Sequence, residues 1–420
     1  MSNDKHAEFS PSQLPRIIKC PGSYQLSKGV EDNTSKYAEE GTMLHKVTET
    51  ILRRGEYKVT QTEIKQYQLD QEQTDAVQTC LDWAFTQVNR FSGDSVQTFV
   101  EVKGSLENFV GDVISEGILD KMFPHSSGSA IRVLLSEVRG TLDYGVSFTA
   151  SGSILCNDWK FGKGVRVSSE TDQLKAYSLV LALSLGYSTP GSNPCKIEAC
   201  IGQPRLSDDL DTTKYTDSEL YTWVSETLIP ALIDATSENP TFSPSVEACR
   251  WCKGKAGCKA RHGQKQQDAL DVFAHIAEDN PMEAVGLKEL TIISQTIGGL
   301  VKYKKDIDEH LYAQAMKGEK VPGKKLVKKI ARRSWKKANA EVAAFLTDHN
   351  FVSLKDMYVA PKLLSVAQME KKVGKLVSRS PDFKGLVMKK SSGLSLVNES
   401  DKREEAEINS PEEAFSEFCS

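Results

Sequence analysis

Two aspartates and a lysine, Asp143, Asp158 and Lys160, are spaced as if to meet on one β-hairpin. Gly140-Thr-Leu-Asp143-Tyr-Gly-Val-Ser-Phe148 is followed by Thr149-Ala-Ser-Gly152 and then by Ser153-Ile-Leu-Cys-Asn-Asp158-Trp-Lys160. With Phe148 paired to Ser153 across a four-residue loop, the antiparallel register sets Asp143 opposite Asp158. Opposed residues carry Cβ atoms ~4.5–5.5 Å apart, where like charges repel unless a cation stands between them. Lys160, two residues after Asp158, shares its face. That trio suits phosphodiester hydrolysis. Mg²⁺ takes one or two carboxylates and leaves its other positions to water and phosphate oxygens. The ion would polarise phosphate and acidify a bound water, while Lys160 would orient that water or offset charge on phosphorus. The competing reading is two solvent-facing acids and a lysine on an edge hairpin, and a one-residue slip would destroy the alignment.

Further residues could address the same spot. Gln173 and Tyr177 are four apart and lie on one face of a helix, where an amide and a phenol could hold Lys160 and a phosphate. His45 could complete the metal site from an N-terminal helix, since neutral imidazole suits Mn²⁺ and is tolerable to Mg²⁺. Gly162-Lys163-Gly164 would let backbone approach a phosphate, with Lys163 as the cation, although the segment is too short to be a P-loop.

A second constellation uses sulfur. Cys249-Arg-Trp-Cys252-Lys-Gly-Lys-Ala-Gly-Cys258 is C-x2-C-x5-C, and three thiolates need a fourth ligand to close a tetrahedral zinc site or a four-iron cluster. Cys20, in Lys19-Cys20-Pro21-Gly22, is the leading candidate, and His262, four residues after Cys258, is the rival that would make a Cys3His zinc site. Ligand count does not separate zinc from iron-sulfur. Arg250, Lys253 and Lys255 could line a DNA backbone there, and Trp251 could stack on a base; a solvated basic loop is the plain alternative. Cys80, Cys156, Cys195, Cys200 and Cys419 show no ligand spacing.

The elements that must position these groups are legible in outline. Ser10-Pro11-Ser12 starts a short helix that ends at Cys20 before Pro21-Gly22, and residues 36–54 form a helix carrying His45. A helix is expected over 62–91, then strands near 98–102, 131–137, 141–148 and 154–160. An apolar helix follows Ser168-Ser169 and stops at Gly186, a strand covers 195–201, and a last helix spans 217–235. Helix, strands, long helix, strand is an α/β order, with this first unit closing near residue 262. Residues 263–398 read as mostly helical, with ten Lys/Arg against one acid in 317–337, and the stretch from 399 to 420 is acidic and tail-like.

Composition frames these readings. The 420 residues are 39% hydrophobic and 26% charged, which excludes collagen-like and wholly disordered classes. A net charge of −4 means that any affinity for nucleic acid must come from local patches or bound metal. The first twelve residues carry Asp4, Glu8 and no apolar core, and the most apolar stretch, 178–185, is too short to span a bilayer. A cytoplasmic protein without membrane attachment is expected.

Taken together, Gly41-Thr-Met-Leu-His45, Gly140-Thr-Leu-Asp143, Asp158-Trp-Lys160, Gln173-x3-Tyr177 and the four cysteines resemble the RecB-like branch of the PD-(D/E)XK nucleases. More narrowly, they are similar to its iron-sulfur members, which include CRISPR-adaptation exonucleases and the AddB nuclease domain. Ser10-Pro-Ser12, Cys20-Pro-Gly-Ser23, Val321-Pro-Gly-Lys-Lys-Leu326 and Leu396-Val-Asn-Glu-Ser-Asp-Lys-Arg403 further resemble a phage and prophage family of unassigned function. The resemblance implies a restriction-endonuclease-like α/β core, a central mixed sheet flanked by helices, closed by the four-cysteine cluster and followed by a helical extension. It implies His45, Asp143, Asp158 and the Trp159 carbonyl as ligands of Mg²⁺ or Mn²⁺, with Lys160 catalytic and Gln173 and Tyr177 supporting. Cys20, Cys249, Cys252 and Cys258 would hold a [4Fe-4S] cluster. The implied activity is a DNA exonuclease acting on single-stranded or free-ended DNA in phage replication or recombination, with the corresponding phage proteins as partners in the host cytoplasm. The alternative is a catalytically inactive nuclease fold that binds DNA or recruits replication proteins through residues 264–420.

Overall fold

Val146, Phe148, Leu155 and Ile201 alternate with residues of the opposite face along strands that are buried on both sides, so helices must cover both. The computed structural model describes residues 7–30, 36–90, 95–187, 196–278 and 286–324, with isolated positions 93 and 381. The chain divides into units Met1–Phe351 and Val352–Ser420, and the architecture below belongs to the first. Cys195, Cys419, the basic run beyond Lys324, residues 396–403 and the acidic tail lie outside the described residues.

In chain order the elements are α1 (Leu14–Lys19), α2 (Gly22–Ser27), α3 (Lys36–Arg53), α4 (Gln61–Tyr67), α5 (Gln71–Val88) and β1 (Val96–Ser105). They continue with α6 (Glu116–Met122), α7 (Gly128–Ser136), β2 (Arg139–Phe148), β3 (Ser153–Trp159), α8 (Asp172–Ser184), β4 (Lys196–Gly202) and β5 (Asp211–Thr216). Then come α9 (Asp217–Trp223), α10 (Ile229–Thr236), α11 (Val246–Arg250), α12 (Lys259–Glu278) and α13 (Leu287–Met316).

The five strands lie in the order β1-β2-β3-β4-β5. All neighbours are antiparallel except β3 and β4, which are parallel and joined through α8. One face packs on α3 and α5 through Leu44, Val47, Ile51, Val77 and Leu81 against Tyr144, Val146, Phe148, Leu155 and Trp159. The other packs on α8 and the helices beyond it, through Leu142, Ile154, Cys156, Leu174, Leu181 and Ile197. The fold is thus a mixed α/β sandwich with a five-stranded central sheet.

Three elements differ from the sequence reading. Residues 131–137, read as a strand, form the body of α7 and its C-cap Glu137, because the Ser127 hydroxyl caps Ala130 N–H and Ile131 and Leu135 fall one helical turn apart on the buried side. The helix expected over 62–91 is two: Gln68 adopts a left-handed conformation at φ 52°, and a capping box of Asp70 and Gln73 starts α5 anew. β5 leaves little trace in the sequence, since Asp-Thr-Thr-Lys-Tyr-Thr is a half-exposed edge strand with little apolar signal.

Along β1 and β2 the alternation of faces changes phase. Leu142 and Gly145 face α8, whereas Tyr144, Val146 and Phe148 face α5. On β1, Val96 and Val100 face α3 and α5, while Phe99 and Val102 face α8. Both phase changes fall at one level of the sheet. There Glu101, flanked by the pairs Val100↔Tyr144 and Val102↔Leu142, adopts φ 54°, a conformation that a non-glycine residue rarely takes.

Candidate active site

The hairpin forms with the register that its spacing predicts. Phe148↔Ser153 through Tyr144↔Asn157 are ladder pairs, and the turn between them closes on Gly152 at φ 62°. The next step would oppose Asp143 and Asp158, and there the ladder ends. The Asp143 carboxylate turns along the partner strand and accepts the Trp159 N–H at 2.6 Å through Oδ2. Its Oδ1 lies 3.4 Å from His45 Nδ1 on α3. His45 is held by its neighbours Leu44 and Val47 in the core and by an edge contact with Phe161, ring centres 5.1 Å apart.

Asp158 is 5% exposed and faces α8, where Gln173 Nε2 donates to its Oδ1 at 3.0 Å. Its Oδ2 is 2.7 Å from Lys160 Nζ but accepts no well-formed hydrogen bond. Burial raises the Asp158 pKa; the Lys160 charge opposes that shift and the nearby Asp143 adds to it. Lys160 is itself raised: burial works against its charge, and the combined pull of Asp158 and Asp143 outweighs burial. For His45 the same contest runs between burial, which disfavours the imidazolium, and its bond to Asp143 with the fields of both aspartates; the net shift is upward. Tyr177, one turn beyond Gln173, has its pKa raised by burial and then by Asp158 and Asp143. Gly140 explains the approach of that ring: a Cβ there would fall 2.7 Å from Pro11 Cδ and 3.1 Å from Tyr177 Cε1.

His45, Asp143, Asp158, Lys160, Gln173 and Tyr177 are therefore drawn into one neighbourhood from α3, β2, β3 and α8. Trp159 contributes its N–H to Asp143, and its ring stacks with Tyr144 and with Trp83, ring centres 6.4 and 6.2 Å away. Lys163 stands apart, paired with Glu72 at 2.8 Å beside a network in which Arg205 joins Glu40 and Glu72. Glu101 was not anticipated, because a glutamate between two valines in a strand reads as solvent-facing. Its pKa is raised by burial and by the charge of Asp143.

Among the described residues, no three His, Cys, Asp or Glu side chains stand as a ready-made metal cage. The donor chemistry nevertheless fits a divalent ion. Two carboxylates and an imidazole are oxygen and nitrogen donors suited to Mn²⁺ or Mg²⁺, and the buried Asp158 Oδ2 has the Lys160 ammonium beside it at 2.7 Å.

Cys20, Cys249, Cys252 and Cys258 line one cavity, with Phe242 and Leu26 among its apolar walls. Cys20 Sγ accepts from Ser243 N–H at 3.3 Å and Cys258 Sγ from Arg261 N–H at 3.5 Å. The Arg16 guanidinium lies in the field of Cys252 and Cys20. Burial raises the pKa of Cys20 and Cys249, so a soft cation would have to displace their protons. Thiols are the donors that zinc and iron-sulfur clusters take, and these four line one cavity without standing as a ready-made cage. His262, the rival fourth ligand, is bonded through Nδ1 to Tyr303. Trp251 is 70% exposed, Arg250 is exposed, Lys253 Nζ reaches the Val30 carbonyl at 3.4 Å, and Lys255 pairs with Asp306 at 2.7 Å. No helix among the described residues is long and apolar enough to cross a membrane.

A crystal structure named "Putative exonuclease", from Eubacterium rectale, is similar at 11% identity over 69% of this chain and 98% of its own, with a TM-score of 0.31. At that distance the likeness carries no argument about the site. A family model described as "Protein of unknown function (DUF2800)" matches residues 6–118 and 131–404, nearly the whole chain. The chain belongs to the DUF2800 family, whose function is unassigned.

Proposed function

We propose that this protein is a divalent-metal-dependent deoxyribonuclease, an exonuclease acting on single-stranded or free-ended DNA, in phage DNA replication or recombination. The observation that carries this reading is the convergence of Asp143, Asp158 and Lys160 at the end of one hairpin, with His45 and Gln173 reaching them from opposite faces of the sheet. Asp143, Asp158 and His45, with the Trp159 carbonyl, would hold Mg²⁺ or Mn²⁺, which supplies polarisation of the scissile phosphate and a more acidic water when bound. Lys160, kept charged by Asp158, places a cation beside the phosphate oxygens. Gln173 fixes the Asp158 carboxylate through its amide, and Tyr177, kept as a neutral phenol, can donate to a phosphate oxygen. The four cysteines would hold a [4Fe-4S] cluster, or zinc in its place, as a structural clamp.

The test is single-turnover digestion of end-labelled single- and double-stranded DNA with Mn²⁺ or Mg²⁺, after anaerobic purification and metal analysis. Wild type should cut and Asp158→Ala should lose about 10²–10³-fold in rate while still binding DNA. Identical behaviour of the two proteins, or no cleavage of any linear DNA, would overturn the reading in favour of an inactive DNA-binding scaffold.

A further inference from the structure

Beyond the cysteine cavity the chain gathers positive charge in a way that neither candidate centre uses. Arg250 on α11, Lys255 in the cysteine loop, Arg261 and Lys265 on α12 and Lys302 on α13 line one cavity of about 110 Å³, against Asp306 as its single lining carboxylate. Asp306 is bound by Lys255 and Arg261 at 2.7 and 2.6 Å, and Lys265 pairs with Asp268 at 2.6 Å. Arg250 and Lys302 are exposed and have no acidic partner among the described residues. In a chain of net charge −4 this is a local excess of cations drawn from four separate segments.

We infer that this cavity is a phosphate subsite for the backbone of single-stranded DNA. Asp306 anchors two of the cations in place, which leaves Arg250 and Lys302 to face the ligand. Both line the cavity, and a guanidinium with an ammonium can meet a phosphodiester's two free oxygens. Trp251, the residue after Arg250, is 70% exposed and offers a stacking platform for the base attached to that phosphate. Cys249 and Lys255 line both this cavity and the thiol cavity, so whatever fills the thiol site also fixes the loop that carries Arg250 and Lys255.

The inference takes its choice of DNA from the proposed function, and a test without metal separates the two. Anisotropy of a labelled single-stranded oligonucleotide in EDTA, read over a salt series, should show Arg250→Ala/Lys302→Ala binding about five- to tenfold more weakly than wild type. The salt slope should fall by about 0.7 for each lost contact. Lys302→Gln, a milder change on an exposed helix face, should show part of the same loss with an unchanged thermal midpoint. Trp251→Ala should weaken binding of the oligonucleotide but not competition by inorganic phosphate. Equal affinity and equal salt slope in wild type and both Lys302 variants overturn the subsite. Inorganic phosphate displacing the oligonucleotide at concentrations where chloride of equal ionic strength does not, with Trp251→Ala silent, overturns DNA as the ligand in favour of free phosphate. Tight binding in EDTA together with no cleavage in Mn²⁺ would sink the nuclease reading and leave the subsite standing.

Discussion

The carboxylate centre and the cysteine centre are assembled over different lengths of chain. Asp143, Asp158 and Lys160 fall within eighteen consecutive residues, and a ladder of main-chain hydrogen bonds sets where they meet. Cys20 and Cys249 are 229 positions apart and share a cavity only because α1 packs on α11, a contact reinforced by the Lys19–Glu247 ion pair and by Gly22 N–H on the Thr241 carbonyl. The first centre takes its acids from the register of one hairpin and its imidazole and amide from α3 and α8. The second reports on closure of the whole unit, and an ion bound there would act as a cross-link around it.

Three experiments sharpen or break that contrast. The largest effect should come from Cys252→Ser. If the thiols clamp distant segments, metal content is lost and stability falls by about 2–4 kcal/mol, as for a cross-link over a long loop, with the thermal midpoint following. His262→Ala should leave metal content intact, since that ring is engaged with Tyr303. Loss of metal in His262→Ala would reverse the ligand assignment.

Gly202→Ala should act on the other centre. A Cβ there would lie 2.5 Å from Trp159 Cε3 and 2.9 Å from Trp83 Cζ3, so the stacked indoles must shift at a cost of about 1–3 kcal/mol. Because Trp159 stands between Asp158 and Lys160, cleavage should drop while thiol-bound metal and DNA affinity stay at wild-type levels. A variant that lost metal and kept its cleavage rate would show that the two regions are not independent.

The smallest effect concerns acid. Arg205 and Gln73 hold the Glu40 carboxyl down to about 2 from its ordinary value of 4.5. Its folded pKa is thus depressed. The stabilisation it contributes is present above the unfolded value and is lost as pH falls through the folded one. Stability should decline between pH 4.5 and 2, and Glu40→Gln should flatten that slope in urea titrations. An unchanged slope would assign acid sensitivity to other carboxyl groups.

Much of the carboxylate centre was legible because alternation, a four-residue loop and helical spacing are local signals. Asp143, Asp158 and Lys160 could be placed by counting, and Gln173 and Tyr177 by the helical period. Glu101 could not, since its left-handed backbone at φ 54° belongs to a phase change shared by two strands and imposed by the helices on either side. α7 was misread because Ile131-Arg-Val-Leu-Leu135 is rich in strand formers, and the cap at Ser127 decided otherwise. The C-x2-C-x5-C spacing pointed to a soft ligand set with Cys20 as its leading fourth member, and what the spacing could not show is that α1 brings Cys20 into the cavity lined by the other three cysteines while His262 bonds Tyr303.

The shared phase change in β1 and β2 works as a splice between the two layers of the sandwich. A regular pleat shows any one residue to one layer only, yet here Asp143 meets an imidazole from the α3 side while the neighbouring Asp158 meets an amide from the α8 side. A slide of either layer past the sheet would therefore be felt at the same pair of acids.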